Sequence, residues 1–200
     1  MYLSRLLLTG ERFRNPYEIH RALWSVFSET PDQARDFLFR VEHNSIKQTQ
    51  VIMQSLREPS CDSQFSHILA SKPFRPNLPE NCQFRFLLVA NPVKTITDDQ
   101  GRLNNKGEIK KCRVPLIKDE DQLTWLKRRF NKSVIFNALE IEKQMPLHFR
   151  KGSKPGKIQP YAFKGILQVK DSSTLETLLQ HGIGPAKAFG CGLLSLAPFR

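Results

Sequence analysis

Hydrophobic spacing and turn residues take this 200-residue chain through one order of elements twice: strand, helix, strand, strand, helix, strand. The first passage opens with the strand-like "YLSRLLL" at 2–8. Asn15-Pro16 then starts a helix, with Asn15 as N-cap, Pro16 in the first helical position and Glu18 able to reach back as in a capping box. Ile19, Leu23, Val26 and Phe27 form its apolar stripe. Segments 35–43 and 49–57 are strand-like and can pair, and "SQFSHILAS" at 63–71 predicts a short helix. The proline-rich 73–81 is either a ragged last strand or a linker. The second passage has a strand at 82–96 and a helix at 119–130, with acids in its first turn and bases in its last. Strands at 134–142 and 162–170 follow, then a serine-capped helix at 172–181, a glycine-rich loop and a final strand at 193–198.

This order is the split βαβ, ferredoxin-like pattern. It predicts an α+β fold of two tandem ferredoxin-like domains, 1–80 and 81–200. Identity between the halves is slight, so what repeats is the order of elements. Hydrophobic residues make up 40% of the chain, enough for a core without disulfides or metals. RNA-recognition modules share this arrangement, but fold alone does not give function.

Charge narrows the partner. The net charge is +12, and it divides unevenly: residues 1–80 carry about +1 and residues 81–200 carry +11. Residues 144–170 contain no acid but hold Arg150, Lys151, Lys154, Lys157, Lys164 and Lys170. Such a balance points to a polyanion, either nucleic acid or an anionic membrane surface. Membrane is the weaker option, since no apolar run approaches the roughly 18 residues a spanning helix needs. The N-terminal apolar stretch is too short for a signal peptide, so a cytoplasmic location is expected. Cys61, Cys82, Cys112 and Cys191 are scattered and expected to be reduced, buried or half-buried thiols. His43, His67, His148 and His181 follow no ligand spacing, with His43 ending a strand, His67 in the 63–71 helix and His148 in a basic loop. No metal and no cofactor is expected.

Three features carry chemistry. "GIGPAKAFGCG" lies between helix and strand, the wrong order for a dinucleotide fingerprint, and lacks the GK[ST] of a Walker loop. Its glycines have two readings. Gly182 can be a helix C-cap, with Gly190 or Gly192 at a tight approach to the last strand. Alternatively, the bare backbone of Gly182, Gly184, Gly190 and Gly192 packs against a phosphodiester chain, with Lys187 supplying charge. His20 follows Tyr17 by one turn on the same helix side, and Trp24 extends that side. His20 is either a half-buried packing residue or a general acid–base, a role that imidazole suits near neutral pH. Two basic segments remain: 91–118, with Lys94, Arg102, Lys106, Lys110, Lys111 and Arg113, and the loop at 148–164, with Arg150, Lys151, Lys154 and Lys157 beside Tyr161 and Phe163. Clustered bases with nearby aromatics suit phosphate tracking and base stacking.

The helix-borne Tyr17 and His20, "ANPVKT", "KKCRVPLIK" and "GIGPAKAFGCGLLSLAP" together resemble the CasE family, the CRISPR RNA-processing endoribonucleases of the type I-E Cascade complex. The resemblance covers essentially the whole chain. It implies metal-independent cleavage of CRISPR precursor RNA on the 3′ side of the repeat stem-loop, leaving a 2′,3′-cyclic phosphate and a 5′-hydroxyl. It also implies that the enzyme stays on the mature guide RNA beside the other Cascade subunits. By position His20 matches the family's catalytic histidine, Tyr17 the nearby tyrosine, and Gly182, Gly184, Lys187, Gly190 and Gly192 the glycine-rich loop. The rival expectation is a non-catalytic RNA-binding module of a ribonucleoprotein complex, with the same fold and basic face.

Overall fold

Two-residue alternation decides the inner face of each strand. In β1 (Tyr2–Thr9) it buries Ser4, Leu6 and Leu8, and in β5 (Gln83–Ala90) it buries Phe84, Phe86, Leu88 and Ala90. The structure, a computed structural model, describes residues 1–27, 35–60 and 64–199. β1 pairs antiparallel with both β3 (Gln48–Ser55) and β4 (Ser66–Pro73), and β2 (Phe37–Asn44) pairs with β3. The resulting sheet has the order β2-β3-β1-β4. The second sheet is β12-β5-β11-β8, built from β5, β8 (Val134–Lys143), β11 (Tyr161–Val169) and β12 (Leu194–Pro198). Counted within its own half, each sheet has the antiparallel order fourth-first-third-second, the ferredoxin-like arrangement.

Helix α1 (Pro16–Trp24) buries Ile19 and Leu23 against the first sheet, and Val26 and Phe27 join that core just past the helix end. Helices α2 (Asp119–Arg129) and α3 (Ser172–His181) close the second core with Trp125, Leu126, Leu175 and Leu179. The i, i+4 spacing of Ile19 with Leu23 and of Leu175 with Leu179 puts each pair on one helical face.

Several expectations are corrected. Residues 66–73 form β4, not a helix: Ser4 to Leu8 offer β1's second edge, and "SHILASK" pairs along it instead of coiling. The start of that expected helix, Ser63, lies outside the described residues. His67 is therefore on a strand. Residues 74–81 form the linker alternative, tucking Leu78 into the second core. The long strand expected at 82–96 breaks at Asn91-Pro92, since proline cannot continue a sheet's hydrogen bonds. Its second part, β6 (Val93–Thr97), forms a separate hairpin with β7 (Lys111–Pro115). The basic loop is a hairpin too, of β9 (Leu147–Lys151) and β10 (Lys154–Ile158), so His148 sits on a strand. Asp171, not a serine, caps α3: its carboxylate accepts from the Thr174 N–H at 3.0 Å, and hydrogen bonds hold its pKa down at about 2. Glu18 bonds Arg21 at 3.3 Å instead of closing a capping box. Cys191 is buried and Cys112 half-buried, but Cys82 precedes β5 in a turn and is exposed; Cys61 lies outside the described residues.

The two sheets are joined by polar contacts and by the glycine loop. Arg40 Nη1 donates to Ser195 Oγ at 2.7 Å, and Gln54 Nε2 donates to the Leu179 carbonyl at 2.7 Å. Gly192 has φ +94°, donates its N–H to Val89 O at 2.7 Å and accepts at its own carbonyl from Ile183 N at 2.9 Å. A Cβ there would lie 2.9 Å from the Ile183 carbonyl oxygen. Gly107 has φ +77° but nothing within 4 Å of its Cβ position. Gly107→Ala is expected to cost only the left-handed backbone penalty, ~1–2 kcal/mol. Gly192→Ala adds a backbone clash, on the order of 1–3 kcal/mol more. Denaturant melts of the two variants measure the difference; equal midpoints would mean that the loop yields freely at Gly192.

Candidate active site

The N-terminus of α1 is tied to the basic hairpin. Asn15 Oδ1 accepts from the Tyr17 N–H at 3.2 Å, which caps the helix, and its Nδ2 donates to the Arg150 carbonyl at 3.1 Å. One turn on, His20 packs its ring 6.2 Å from Trp24 and 5.8 Å from Phe37 of β2. Trp24 was visible as a neighbour from helical spacing; Phe37 was not, because it comes from another element. His20 Nε2 is buried and has no hydrogen-bond partner among the described residues. Burial, and secondarily the charge of Arg35, lower the His20 pKa from 6.5, so the ring is neutral at neutral pH. Tyr17 is half-buried.

The glycine loop sits against this helix. Its short 3-10 turn (Lys187–Phe189) packs on α1 and β2. Each of its four glycines has positive φ, and each takes a close neighbour. Cβ atoms at Gly182, Gly184 and Gly190 would lie 2.7 Å from Leu38, 2.9 Å from Trp125 and 3.3 Å from Phe39, respectively. Gly182 ends α3, donating its N–H to Leu178 O at 2.8 Å. Packing by itself therefore accounts for all four glycines. Lys187 donates Nζ to the His181 carbonyl at the end of α3. Its pKa is lowered by burial, then by Arg35 and Arg129. Arg35 thus lies within electrostatic reach of both His20 and Lys187. Arg35 opens the strand-like segment 35–43, but nothing in its local sequence marks it as a site residue. The Phe189 ring packs tilted against Phe149, centroids 4.3 Å apart, joining the loop to the β9–β10 hairpin.

The basic residues separate into groups. Lys187 and Arg113 line one cleft of about 430 Å³ together with Arg129. Arg150 is at Asn15, and Lys157 lines a second cleft, of about 480 Å³, that shares Arg113. Lys151 and Lys154 are described by their backbones alone, on β9 and β10. Lys94 faces Val114 across the β6–β7 ladder, where Lys111 also lies. Arg102, Lys106 and Lys110 sit farther out on that hairpin's extension, and Asp98 holds Arg102 in a 2.6 Å ion pair. Lys164, within the acid-free stretch, is paired across the sheet with Glu140 and Glu142. His43 and His148, unconnected in sequence, meet in the lining of a further cleft of about 660 Å³ beside Phe189. Among the described residues no three of His, Cys, Asp and Glu come together as a metal site, and no helix is long and apolar enough to cross a membrane.

The pKa direction at His20 has a consequence for stability. Between 6.5 and the lower folded midpoint, the unfolded chain binds the proton more readily than the folded one. The histidine's contribution to stability is intact above 6.5 and is lost as pH falls through the folded midpoint. NMR titration should find the His20 midpoint below 6.5, and Arg35→Gln should raise it, by less than exposing the ring would. A midpoint at or above 6.5 would contradict the partial burial of the ring.

The model of a family described as CRISPR-associated protein matches residues 1–198. The CRISPR system Cascade subunit CasE of Escherichia coli K12 is 42% identical over 199 residues, spanning 99% of this chain and all of that protein. The CRISPR-associated endoribonuclease Cse3 of Thermus thermophilus is 32% identical over 223 residues, with 99% and 100% coverage. The structure of Thermus thermophilus Cse3 bound to an RNA representing a pre-cleavage complex superposes with a TM-score of 0.74 at 28% identity, covering 99% of this chain and 100% of that one.

Proposed function

The chain belongs to this CRISPR-associated protein family, and from that premise we propose that it is a metal-independent endoribonuclease that cuts CRISPR precursor RNA on the 3′ side of the repeat stem-loop. It then remains on the mature guide RNA as a subunit of a Cascade complex in the cytoplasm. The observation that carries the catalytic part is His20: a half-buried imidazole kept neutral by burial and by Arg35, beside a loop where Arg35, Lys187 and Arg129 accumulate positive charge.

RNA brings its own nucleophile, the 2′-OH. Neutral His20 accepts the 2′-OH proton as the 2′-oxygen bonds to phosphorus. The bond from phosphorus to the 5′-oxygen breaks, and that oxygen takes up a proton. The products are a 2′,3′-cyclic phosphate and a 5′-hydroxyl. Residues three apart on a helix lie side by side, which makes Tyr17 the group for the second proton. Arg35 and Lys187 offset the charge that develops on the phosphoryl oxygens. No step requires a metal.

We read 1–80 and 81–200 as two domains. The two separate cores support two domains, with Leu78 of the linker reaching across the boundary into the second. The first supplies the catalytic helix and the second most of the RNA contacts. On this reading Lys94, Lys110, Lys111, Arg113, Arg150, Lys151, Lys154, Lys157 and Lys187 face the phosphates; Arg102 and Lys106 act from the outer hairpin. The RNA is selected by shape, because the A-form major groove is too narrow for free side-chain readout.

His20→Ala should lower single-turnover cleavage of the organism's repeat RNA by roughly 10²-fold or more and leave stem-loop affinity little changed. A 2′-deoxy sugar upstream of the cleaved bond should bind and resist cutting, and EDTA should not slow the wild type. Normal cutting by His20→Ala would make His20 a packing residue and favour a binding-only module. Cutting of the deoxy substrate would make water the nucleophile, and a chelator-sensitive rate restored by a divalent ion would end the metal-free mechanism.

Replacing Lys151, Lys154 and Lys157 together with Gln should weaken binding and flatten its log–log salt dependence, by about 0.7 per lost single-strand contact. An unchanged slope would leave this hairpin as solvated surface.

A further inference from the structure

The cleft of about 430 Å³ lies between the glycine loop, the end of α2 and the β6–β7 hairpin. Three of its lining side chains are cationic, namely Arg113, Arg129 and Lys187, and none is acidic. Among the described residues none of the three makes an ion pair, although six ion-pair contacts form elsewhere. Charges of one sign gathered in a concave site, with no local carboxylate, are costly unless an anion fills it. The crowding is felt within the cluster: Lys187 is perturbed by Arg129, and Arg129 itself by burial and by Arg128.

Buried Trp125 organises the cleft. The Arg129 guanidinium lies over its ring at 5.3 Å, one turn along α2. The same ring meets Gly184 so closely that a Cβ there would lie 2.9 Å away. One indole therefore fixes both the cationic wall and the bare backbone facing it. Opposite, Thr95 and Arg113 are direct neighbours across the β6–β7 ladder.

We propose that this cleft is a phosphate subsite for the RNA backbone, in which Arg129, held on Trp125, and Arg113 grip a phosphodiester next to the scissile one. The proposal rests on the nuclease reading above and deepens it by assigning Arg129 as a positioning residue. A guanidinium suits this role better than an ammonium, because its planar fork can donate two parallel hydrogen bonds to one phosphate while its face stays stacked. The ligand is one unit of a chain that continues on toward His20: Lys187 lines the cleft, and the turn it opens packs on α1, the helix that carries His20.

The test pairs protein variants with RNA stem-loops carrying a single uncharged methylphosphonate at each position around the cleavage site. Arg129→Ala should weaken binding of the unmodified RNA roughly tenfold or more, the scale of a lost charged hydrogen bond. In the wild type, one or two methylphosphonate positions should weaken binding comparably. At those positions Arg129→Ala should add little further loss, and elsewhere the two effects should multiply. Arg113→Ala, on a hairpin outside both cores, should couple to the same positions, which keeps the test decisive if loss of the stacked arginine disturbs folding. Arg129→Lys should restore the salt slope but only part of the affinity. If the wild type binds and cuts RNA while every methylphosphonate acts independently of both arginines, the subsite is wrong and the nuclease reading stands. If the wild type neither binds nor cuts the stem-loop, both are wrong.

Discussion

Bare backbone at four positions lets the two sheets close on one loop. Gly182, Gly184, Gly190 and Gly192 take positive φ, and each faces something a Cβ would crowd: Leu38, Trp125, Phe39 and the Ile183 carbonyl. Leu38 and Phe39 belong to the first half of the chain, and Trp125 and Ile183 to the second. The loop is therefore the place where both halves are read at once. It places the turn that begins at Lys187 against α1, and Gly184 against the tryptophan that carries the α2 arginine. An L-amino-acid side chain at these φ values is strained by about 1–2 kcal/mol even in open space, and none of the four sites is open.

Around that loop the electrostatics run in one direction. Acids elsewhere in the molecule find bases: Asp36 with Arg57, Asp98 with Arg102, Glu140 and Glu142 with Lys164. Near the loop Arg35, Arg113, Arg129 and Lys187 have no such partner among the described residues. A neutral His20 at the edge of this field is what the field itself favours, since both burial and Arg35 oppose its protonation. An anionic RNA chain would complete the charge balance, and a neutral imidazole would serve as the base the 2′-OH needs.

Local signals were the legible ones. Asn15-Pro16 marks the start of α1, as residues with N-cap and first-turn chemistry should. The strands at 83–90, 134–143 and 161–169 follow from runs of apolar residues, and the twofold element order predicts the two antiparallel sheets. At two of the corrected segments a partner strand decided. "SHILASK" has no strong local preference and becomes β4 because β1 has a free edge beside it. The acid-free loop is a hairpin because its two arms pair with each other across Gly152 and Ser153. At the site, Tyr17, His20, Lys187 and the glycines were visible as residue types at telling spacings. Arg35, Phe37, Trp125 and Arg129 were not, since each acts across distances in sequence that no local pattern records.

The sequence by itself determined the class of fold, the sign and location of the charge and the helix that carries His20. These follow from short-range periodicity, capping chemistry and the count of ionisable groups. Tertiary structure alone decided that the four glycines are packing sites for both halves, and that Asn15 clasps the basic hairpin while it caps its own helix. Only in three dimensions does the second helix's tryptophan support both the loop and an arginine. The physical reason is that close approach, burial and the unpaired charge of a cleft are properties of groups brought together from distant parts of the chain.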